Sequence, residues 1–164
     1  MIYYRMQASP LGSLLLAASE QGLCGLYFEE HRHFRGAQGW MEMPGHPHLQ
    51  RAASQLDDYF AGQRRVFDLP LDLAGTPFQQ KVWAQLPQVP YGATASYLLH
   101  AHAVGAGHAV RAVGTAIGRN PVSIIVPCHR IVGSDGALAG YAGGLERKRY
   151  LLAFEAAGAG HGKD

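Results

Sequence analysis

The sequence predicts a mixed α/β (α+β) fold in two parts, strands first and helices after. Three observations lead there. The first 30 residues hold three short strand-like runs separated by turn residues. Residues 96–117 read as two short helices joined by a glycine-containing turn, a helix-turn-helix pattern. The formal charge changes sign along the chain: residues 1–77 carry six basic and eight acidic side chains, residues 78–164 eight basic and four acidic. A boundary near residue 75 gives two domains, 1–75 and 76–164.

The strands are expected at Ile2-Tyr3-Tyr4, at Leu14 to Ala17 and at Leu23 to Phe28, with turns at Ser9-Pro10-Leu11-Gly12 and Glu20-Gln21-Gly22. Residues 31–46 lack any period and read as loop. Over residues 48–60, Leu49, Ala52, Ala53, Leu56, Tyr59 and Phe60 recur at helical spacing, and Gly62 suits the stop. An extended connection containing Pro70-Leu71-Asp72-Leu73 follows. Thr76-Pro77 is a helix start, a hydroxyl cap before proline, and Phe78, Val82 and Leu86 share one face.

After the turn Pro90-Tyr91-Gly92, Ser96 caps a helix carrying Tyr97, Leu98 and Leu99. The break Val104-Gly105-Ala106-Gly107 leads to a helix from His108 to Ile117. Pro121 to Val126 reads as extended, Ser134-Asp135-Gly136 as the turn of a wing or hairpin. Leu145 to Phe154 reads as a last helix, followed by a tail expected to be mobile.

Composition bounds the function. Of 164 residues 48% are apolar and 16% charged, where about 25% charged is usual. Disordered, collagenous, coiled-coil and disulfide-rich classes are excluded. No run approaches the roughly 18–20 apolar residues of a membrane span, and MIYYRMQASP lacks a signal core, so a cytoplasmic protein without a membrane partner is expected. The net charge of +2 says little; the basic second half permits an anionic partner.

Two cysteines are too few for a disulfide framework, and free thiols are expected. Cys128 stands in Pro127-Cys128-His129-Arg130, where imidazole and guanidinium groups suit a thiolate nucleophile. A buried small residue beside polar neighbours is the competing reading. A base needs an orienting acid, and Glu155, at the end of the last helix's apolar stripe, is the best placed. Cys24, in a strand with Leu26 and Phe28, reads as structural. The histidines His31/His33, His46/His48 and His100/His102 show no metal-ligand spacing. Arg111 lies on the second helix of the helix-turn-helix, where one guanidinium could fill the place of a displaced base.

Asn120-Pro121, Ile125-Val126-Pro127-Cys128-His129-Arg130-Ile131-Val132 and Gly140-Tyr141-Ala142-Gly143-Gly144 together resemble the signature of the O6-alkylguanine-DNA alkyltransferases, the methylated-DNA–protein-cysteine methyltransferases. The likeness extends to Arg111-Ala112-Val113-Gly114, Pro90-Tyr91-Gly92, Ser96-Tyr97, Phe78 and Val82-Trp83. More loosely it reaches Ser9-Pro10-Leu11-Gly12 and Gly22-Leu23-Cys24-Gly25-Leu26, as in short bacterial members.

The resemblance implies an N-terminal ribonuclease-H-like α/β domain and a C-terminal winged helix-turn-helix domain. Cys128 would take the alkyl group from guanine O6 and keep it irreversibly. His129, through a water, would accept the thiol proton, with Glu155 holding the imidazole. Asn120 would brace the turn before the cysteine. Tyr141 would donate to guanine N3, and the Ala142 N–H would face O6. Carbonyls of Cys128 and Ile131 would read the exocyclic amine. Arg111 would stack in place of the flipped nucleotide, Tyr97 would press on its 3′ phosphate, and Ala109 and Val110 would lie against the minor groove.

The expected partner is double-stranded DNA bound through its minor groove with the alkylated base flipped out. No cofactor, no metal and no obligate protein partner are expected, and the protein should be a monomer. O4-methylthymine is a second candidate lesion. Two features depart from the family pattern: Gly105-Ala106-Gly107-His108 replaces a turn that usually carries proline, and Leu98-Leu99 replaces a glycine–acidic pair. The chemistry fits these roles. An alkyl carbon on a stacked base is out of reach until the base leaves the stack, and the degenerate minor groove suits inspection at any sequence. Two alternatives remain. A non-catalytic lesion-binding or regulatory winged-helix protein would keep its function without Cys128. A thiol hydrolase built on Cys128, His129 and Glu155 would turn over an ester or amide.

Overall fold

The computed structural model describes residues 1–160. The chain divides into two compact units, Met1–Ala74 and a second from Gly75 onward. None of the described helices is long and apolar enough to cross a membrane.

In the first unit β1 (Tyr3–Gln7), β2 (Leu14–Ala18) and β3 (Leu23–Tyr27) form an antiparallel meander, as the turn residues predict. A fourth strand, β4 (Met41–Glu42), pairs parallel with β1 and gives the order β3-β2-β1-β4. The sequence reads this segment as loop, because two residues are too few to show a period. Helix α1 (Pro47–Phe60) packs on the sheet and buries Leu49, Ala52, Ala53, Leu56 and Tyr59. Gly62 ends it with φ 77°, a left-handed conformation that glycine adopts without strain. Buried Gln55 then acts as a backbone mimic: its amide donates to the Asp68 carbonyl at 2.8 Å and accepts from the Asp68 N–H at 2.9 Å. The returning chain bridges β3 through Leu23 and Leu71. Cys24 sits beside an irregularity in the β2–β3 register, half-buried where Leu26 and Phe28 are fully buried.

The second unit opens with α2 (Pro77–Gln85), capped as its sequence predicts. The Thr76 hydroxyl accepts from the Gln79 N–H at 3.1 Å, and the Gln79 side chain accepts from the Thr76 N–H at 3.0 Å. Val82 and Leu86 are buried, whereas Phe78 is exposed. A 3-10 turn (Leu86–Gln88) and a short strand, β5 (Ala95–Ser96), lead to α3 (Tyr97–Ala103), capped by Ser96. Helix α4 (Val110–Gly118) starts two residues later than His108, with Ala109 as a cap that offers no side-chain acceptor.

The turn between α3 and α4 is a Schellman motif. The Ala106 N–H reaches the Ala101 carbonyl, the Gly105 N–H reaches that of His102, and Gly105 takes φ 75°. Two buried side chains tie α2 to this pair. The Trp83 indole donates to the Ala116 carbonyl at 2.8 Å, and the His100 Nε2 lies 3.0 Å from the Val82 carbonyl.

Beyond α4 the apolar run Pro121–Val126 is not extended. Ile125 N bonds Ser123 O at 2.8 Å around Ile124, a β-branched residue at φ 71°. Cys128 N bonds Val126 O at 2.8 Å around Pro127, at φ −83° and ψ 65°. These are three-residue γ-turns, the first of a strained kind. A buried apolar run folds this way only if its backbone groups are satisfied without a ladder. Residues Cys128–Arg130 form a 3-10 turn, and β6 (Ile131–Val132) pairs parallel with β5. At the wing position the chain turns through Gly133–Ala137, closed by a 2.8 Å bond between their N–H and carbonyl. Helix α5 (Leu145–Gly160) runs further than Phe154, so the sequence reading ended it too early. The final residues of the tail expected to be mobile, 161–164, lie outside the described residues.

Replacing Thr76 by Ala removes one side of the capping box at an exposed site. Urea unfolding is expected to report a loss of about 1 kcal/mol, with an unchanged far-ultraviolet spectrum.

Candidate active site

The 3-10 turn Cys128–Arg130 is the centre of a buried cluster. A turn of three residues sets successive side chains about 120° apart, so His129 and Arg130 can both reach α5 while Cys128 faces other groups. The His129 Nε2 lies 2.8 Å from Glu155 Oε2. Arg130 donates from Nε to Glu155 Oε1 at 2.8 Å and from Nη2 to Oε2 at 3.0 Å. Its Nη1 donates to the Val89 carbonyl at 2.7 Å, and its guanidinium lies 5.8 Å from the centre of the Tyr91 ring. His129 and Glu155 are 0% and 1% exposed.

Burial lowers the His129 pKa below 6.5 despite the nearby carboxylate, so the imidazole is neutral at pH 7. Glu155 remains ionised, held near 2 because its hydrogen bonds to His129 and Arg130 outweigh burial. The pairing assigns the imidazole proton to Nε2, where it donates to the carboxylate. Nδ1 is then a buried acceptor that no protein donor among the described residues satisfies.

The Cys128 thiol is buried, and burial pushes it up to about 11; a hydrogen bond from Asn120 and the charge of Lys148 pull the other way. The Asn120 side chain also holds the two γ-turns, donating to Val126 O at 2.7 Å and accepting from Val122 N at 3.0 Å. Tyr141 is buried, and its phenol is held well above 10, first by burial and then by the charge a Cys128 thiolate would carry. Tyr97 is half-buried and feels the same charge; its hydroxyl donates to the Ala139 carbonyl at 2.6 Å. Ile131 is buried in β6, and its N–H takes one lone pair of the Cys128 carbonyl. Ala142 is half-buried in the loop before α5.

Cys128, His129, Glu155, Asn120, Tyr141 and Tyr97 therefore form one electrostatically connected cluster. Arg111, Val110 and Ala109 stand apart from it at the start of α4, with Arg111 exposed. Sequence reasoning overlooked Lys148, which is 1% exposed. The signal was present: Lys148, Leu151 and Glu155 follow i, i+3, i+7 spacing and are the buried residues of α5.

The other thiol is differently surrounded. Cys24 is also pushed up to about 11, by burial and by the negative charge of Asp72. Among the other histidines, His31 and His46 accept backbone N–H groups through Nδ1, and His100 is bonded to a backbone carbonyl.

Removing Glu155 strands the buried Arg130 guanidinium, and Glu155→Gln is expected to destabilise the chain by about 3–5 kcal/mol in urea unfolding. Acid should act on Glu155 and on His129. Unfolded histidine binds a proton near 6.5 while buried His129 resists it, so stability begins to fall below that pH. The contribution of Glu155 is complete above about 4.5 and disappears as the pH approaches about 2. Equilibrium unfolding from pH 7 to pH 2 should show this decline, with its lower part absent in Glu155→Gln.

Comparison with known proteins gives a consistent result. The family model for the ribonuclease-like domain of 6-O-methylguanine DNA methyltransferase matches residues 2–73, and that for its DNA-binding domain matches 77–157. The chain is 48% identical over 155 residues to a methylated-DNA–protein-cysteine methyltransferase of Mycobacterium bovis, covering 94% of this chain and 93% of that one. It is 46% identical over 158 residues to the constitutive enzyme of Bacillus subtilis, covering 94% and 96%. A crystal structure of Mycobacterium tuberculosis OGT in complex with DNA superposes with a TM-score of 0.89 at 46% identity, covering 95% of this chain and 94% of that one.

Proposed function

Because the chain belongs to the 6-O-methylguanine DNA methyltransferase family, we propose that it repairs O6-alkylguanine in DNA and that Cys128 is the residue receiving the alkyl group. The observation that carries the assignment is the neutral His129, next to Cys128 in the 3-10 turn, oriented by an ionised Glu155. Among the described residues no comparable base acts on Cys24, and its neighbour Asp72 opposes a thiolate. Residues 76–164 form the domain that holds every assigned role, and residues 1–75 form the N-terminal α/β domain.

The first task is removal of the thiol proton. His129 offers the Nδ1 lone pair, and a water bridging it to Sγ carries the proton across. The imidazolium that forms is stabilised by Glu155, which Arg130 keeps ionised and fixed. The thiolate then attacks the alkyl carbon: the S–C bond forms as the C–O6 bond breaks, and the electron pair goes to the guanine. The guanine regains one proton, so thiol and ether become thioether and guanine. Tyr141 stays a phenol at neutral pH and can donate to guanine N3 as charge develops.

Around this centre, Asn120 braces the turns that place Cys128, and the Ala142 N–H faces O6. The free lone pair of the Cys128 carbonyl and the Ile131 carbonyl accept the exocyclic amine. Arg111 fills the place of the flipped nucleotide, with Ala109 and Val110 against the minor groove. Tyr97 exchanges its bond to Ala139 for the 3′ phosphate. None of these groups activates water against a thioether, so each molecule reacts once. The reaction takes place in the cytoplasm, and O4-methylthymine is a second lesion to compare.

Incubation with a duplex carrying one O6-methylguanine should add a single methyl group to the Cys128 peptide, with no turnover under excess substrate. Cys128→Ser should lose transfer and keep lesion binding. An unmodified protein that binds the lesion would overturn the assignment in favour of a sensor. Duplex affinity should also fall as salt rises, with a shallow slope reflecting few phosphate contacts; titrations across several salt concentrations measure it.

A further inference from the structure

Trp83 takes no part in the transfer just described, yet its indole ties α2 directly to the end of α4. A helix leaves its last four carbonyls without intrahelical partners. In α4 one of these belongs to Ala116. It accepts from the Arg119 N–H at 3.1 Å and, from outside the helix, from the Trp83 indole at 2.8 Å. Helix α2 is held at its own end in the same manner. The Leu86 N–H turns to the Trp83 carbonyl, and Nε2 of buried His100 lies 3.0 Å from the Val82 carbonyl. Burial lowers the His100 pKa below 6.5, so at pH 7 the ring is neutral and donates from Nε2. Beyond Ala116 the chain runs into Asn120, whose N–H bonds the Ile117 carbonyl at 3.1 Å. The Asn120 side chain and the Cys128 N–H then share the Val126 carbonyl, at 2.7 and 2.8 Å. At its other end α4 begins with Val110 and Arg111.

We propose that Trp83 is a positioning residue for the alkyl transfer: its indole N–H fixes the C-terminal end of α4, and with it Asn120 and the turn of Cys128, relative to Arg111 at the start of the same helix. This rests on Cys128 being the nucleophile and Arg111 the residue that replaces the flipped nucleotide. One helix then spans from the displaced base's vacancy to the sulfur, and its far end must not fray or slide. The helix alone is poorly defended against that. Its nine residues include Gly114 and Gly118, and Ala109 offers no side-chain cap. A shift of about 1 Å is enough to slow a displacement that needs sulfur, carbon and leaving oxygen in line. Trp83 is 2% exposed and does not meet DNA, so its loss belongs to the step after binding. The ring also lies on Gly75, where a Cβ would come within 2.6 Å of Cζ3 and Cη2.

The test uses the full chain and single-turnover transfer from an O6-methylguanine duplex. Duplex affinity is measured separately, and circular dichroism checks folding. Trp83→Phe removes the indole donor. It should lower the rate at saturating duplex about tenfold and leave the dissociation constant within about twofold of the parent's. In an Asn120→Ala background the turn is already released, so Trp83→Phe should there cost less than about twofold. A side chain that merely stabilises the fold would multiply its loss with that of Asn120→Ala. Multiplicative losses therefore overturn the proposal, as does a saturating rate for Trp83→Phe within about twofold of the parent's. If Trp83→Phe does not fold, Gly75→Ala decides, because its methyl displaces the indole and leaves Trp83 in the chain. That methyl also presses on the Gln79 side chain of the capping box, so Thr76→Ala, which breaks the box alone, is the reference. Gly75→Ala should transfer about fivefold more slowly than Thr76→Ala at saturation; equal rates overturn the proposal. A parent that places no methyl group on Cys128 defeats the alkyl-transfer reading, and this role falls with it. An active parent with unaffected variants defeats the role of Trp83 alone.

Discussion

The carboxylate of Glu155 accepts hydrogen bonds from His129 and from two nitrogens of Arg130, all at 2.8–3.0 Å and all shielded from solvent. A buried anion constrains its surroundings, since displacing Arg130 would leave the carboxylate without water or counter-ion and displacing His129 would cost it a hydrogen bond. The guanidinium extends the constraint to Val89 and Tyr91, so one charge network joins α5, the 3-10 turn of Cys128 and the segment before β5. Gly158 leaves room for the Tyr91 ring and Gly92 for the Ala159 methyl, so a side chain at either glycine would collide with the facing segment. The imidazole's orientation is thus a product of the packing of this unit. The turn that carries Cys128 is fixed by helix α5, not by the local sequence alone.

The segment entering the turn of Cys128 is built on different physics. Two γ-turns and a left-handed isoleucine replace the expected strand, and Asn120 supplies the hydrogen bonds that a neighbouring strand would have given. Strain of this kind persists only where surrounding contacts over-determine the backbone. Here the apolar side chains Val122, Ile124, Ile125 and Val126 are all buried and anchor the loop from within.

Much of this was legible in the sequence, and the exceptions follow from what periodicity can register. The Thr76-Pro77 cap, the Ser96 cap and the meander turns are local chemistry, and each appears where its residues stand. Glu155 was accessible because helical spacing carries information over several turns. The same spacing pointed to Lys148, but a lysine on an apolar stripe is ordinarily read as reaching out to solvent. The fold of Pro121–Val126 was not accessible, because an apolar run records burial without recording backbone direction. Strand β4 was too short to leave a pattern, and α4 begins later than its helix-forming residues suggest because no side chain caps it. Gly105 satisfies the turn between α3 and α4 with a Schellman motif, so the proline seen elsewhere at this turn is one solution among several.

The tryptophans have a spectroscopic consequence. The chain holds two, Trp40 in the first unit and Trp83 in the second. Trp40 is half-exposed beside Phe34, while Trp83 is buried with its indole N–H bonded to Ala116. Their emission maxima should therefore lie apart, the buried indole to the blue of the half-exposed one. A single fluorescence trace resolved by wavelength thus follows each half of the molecule separately. Whether the two halves melt together or in sequence can be read without any added label.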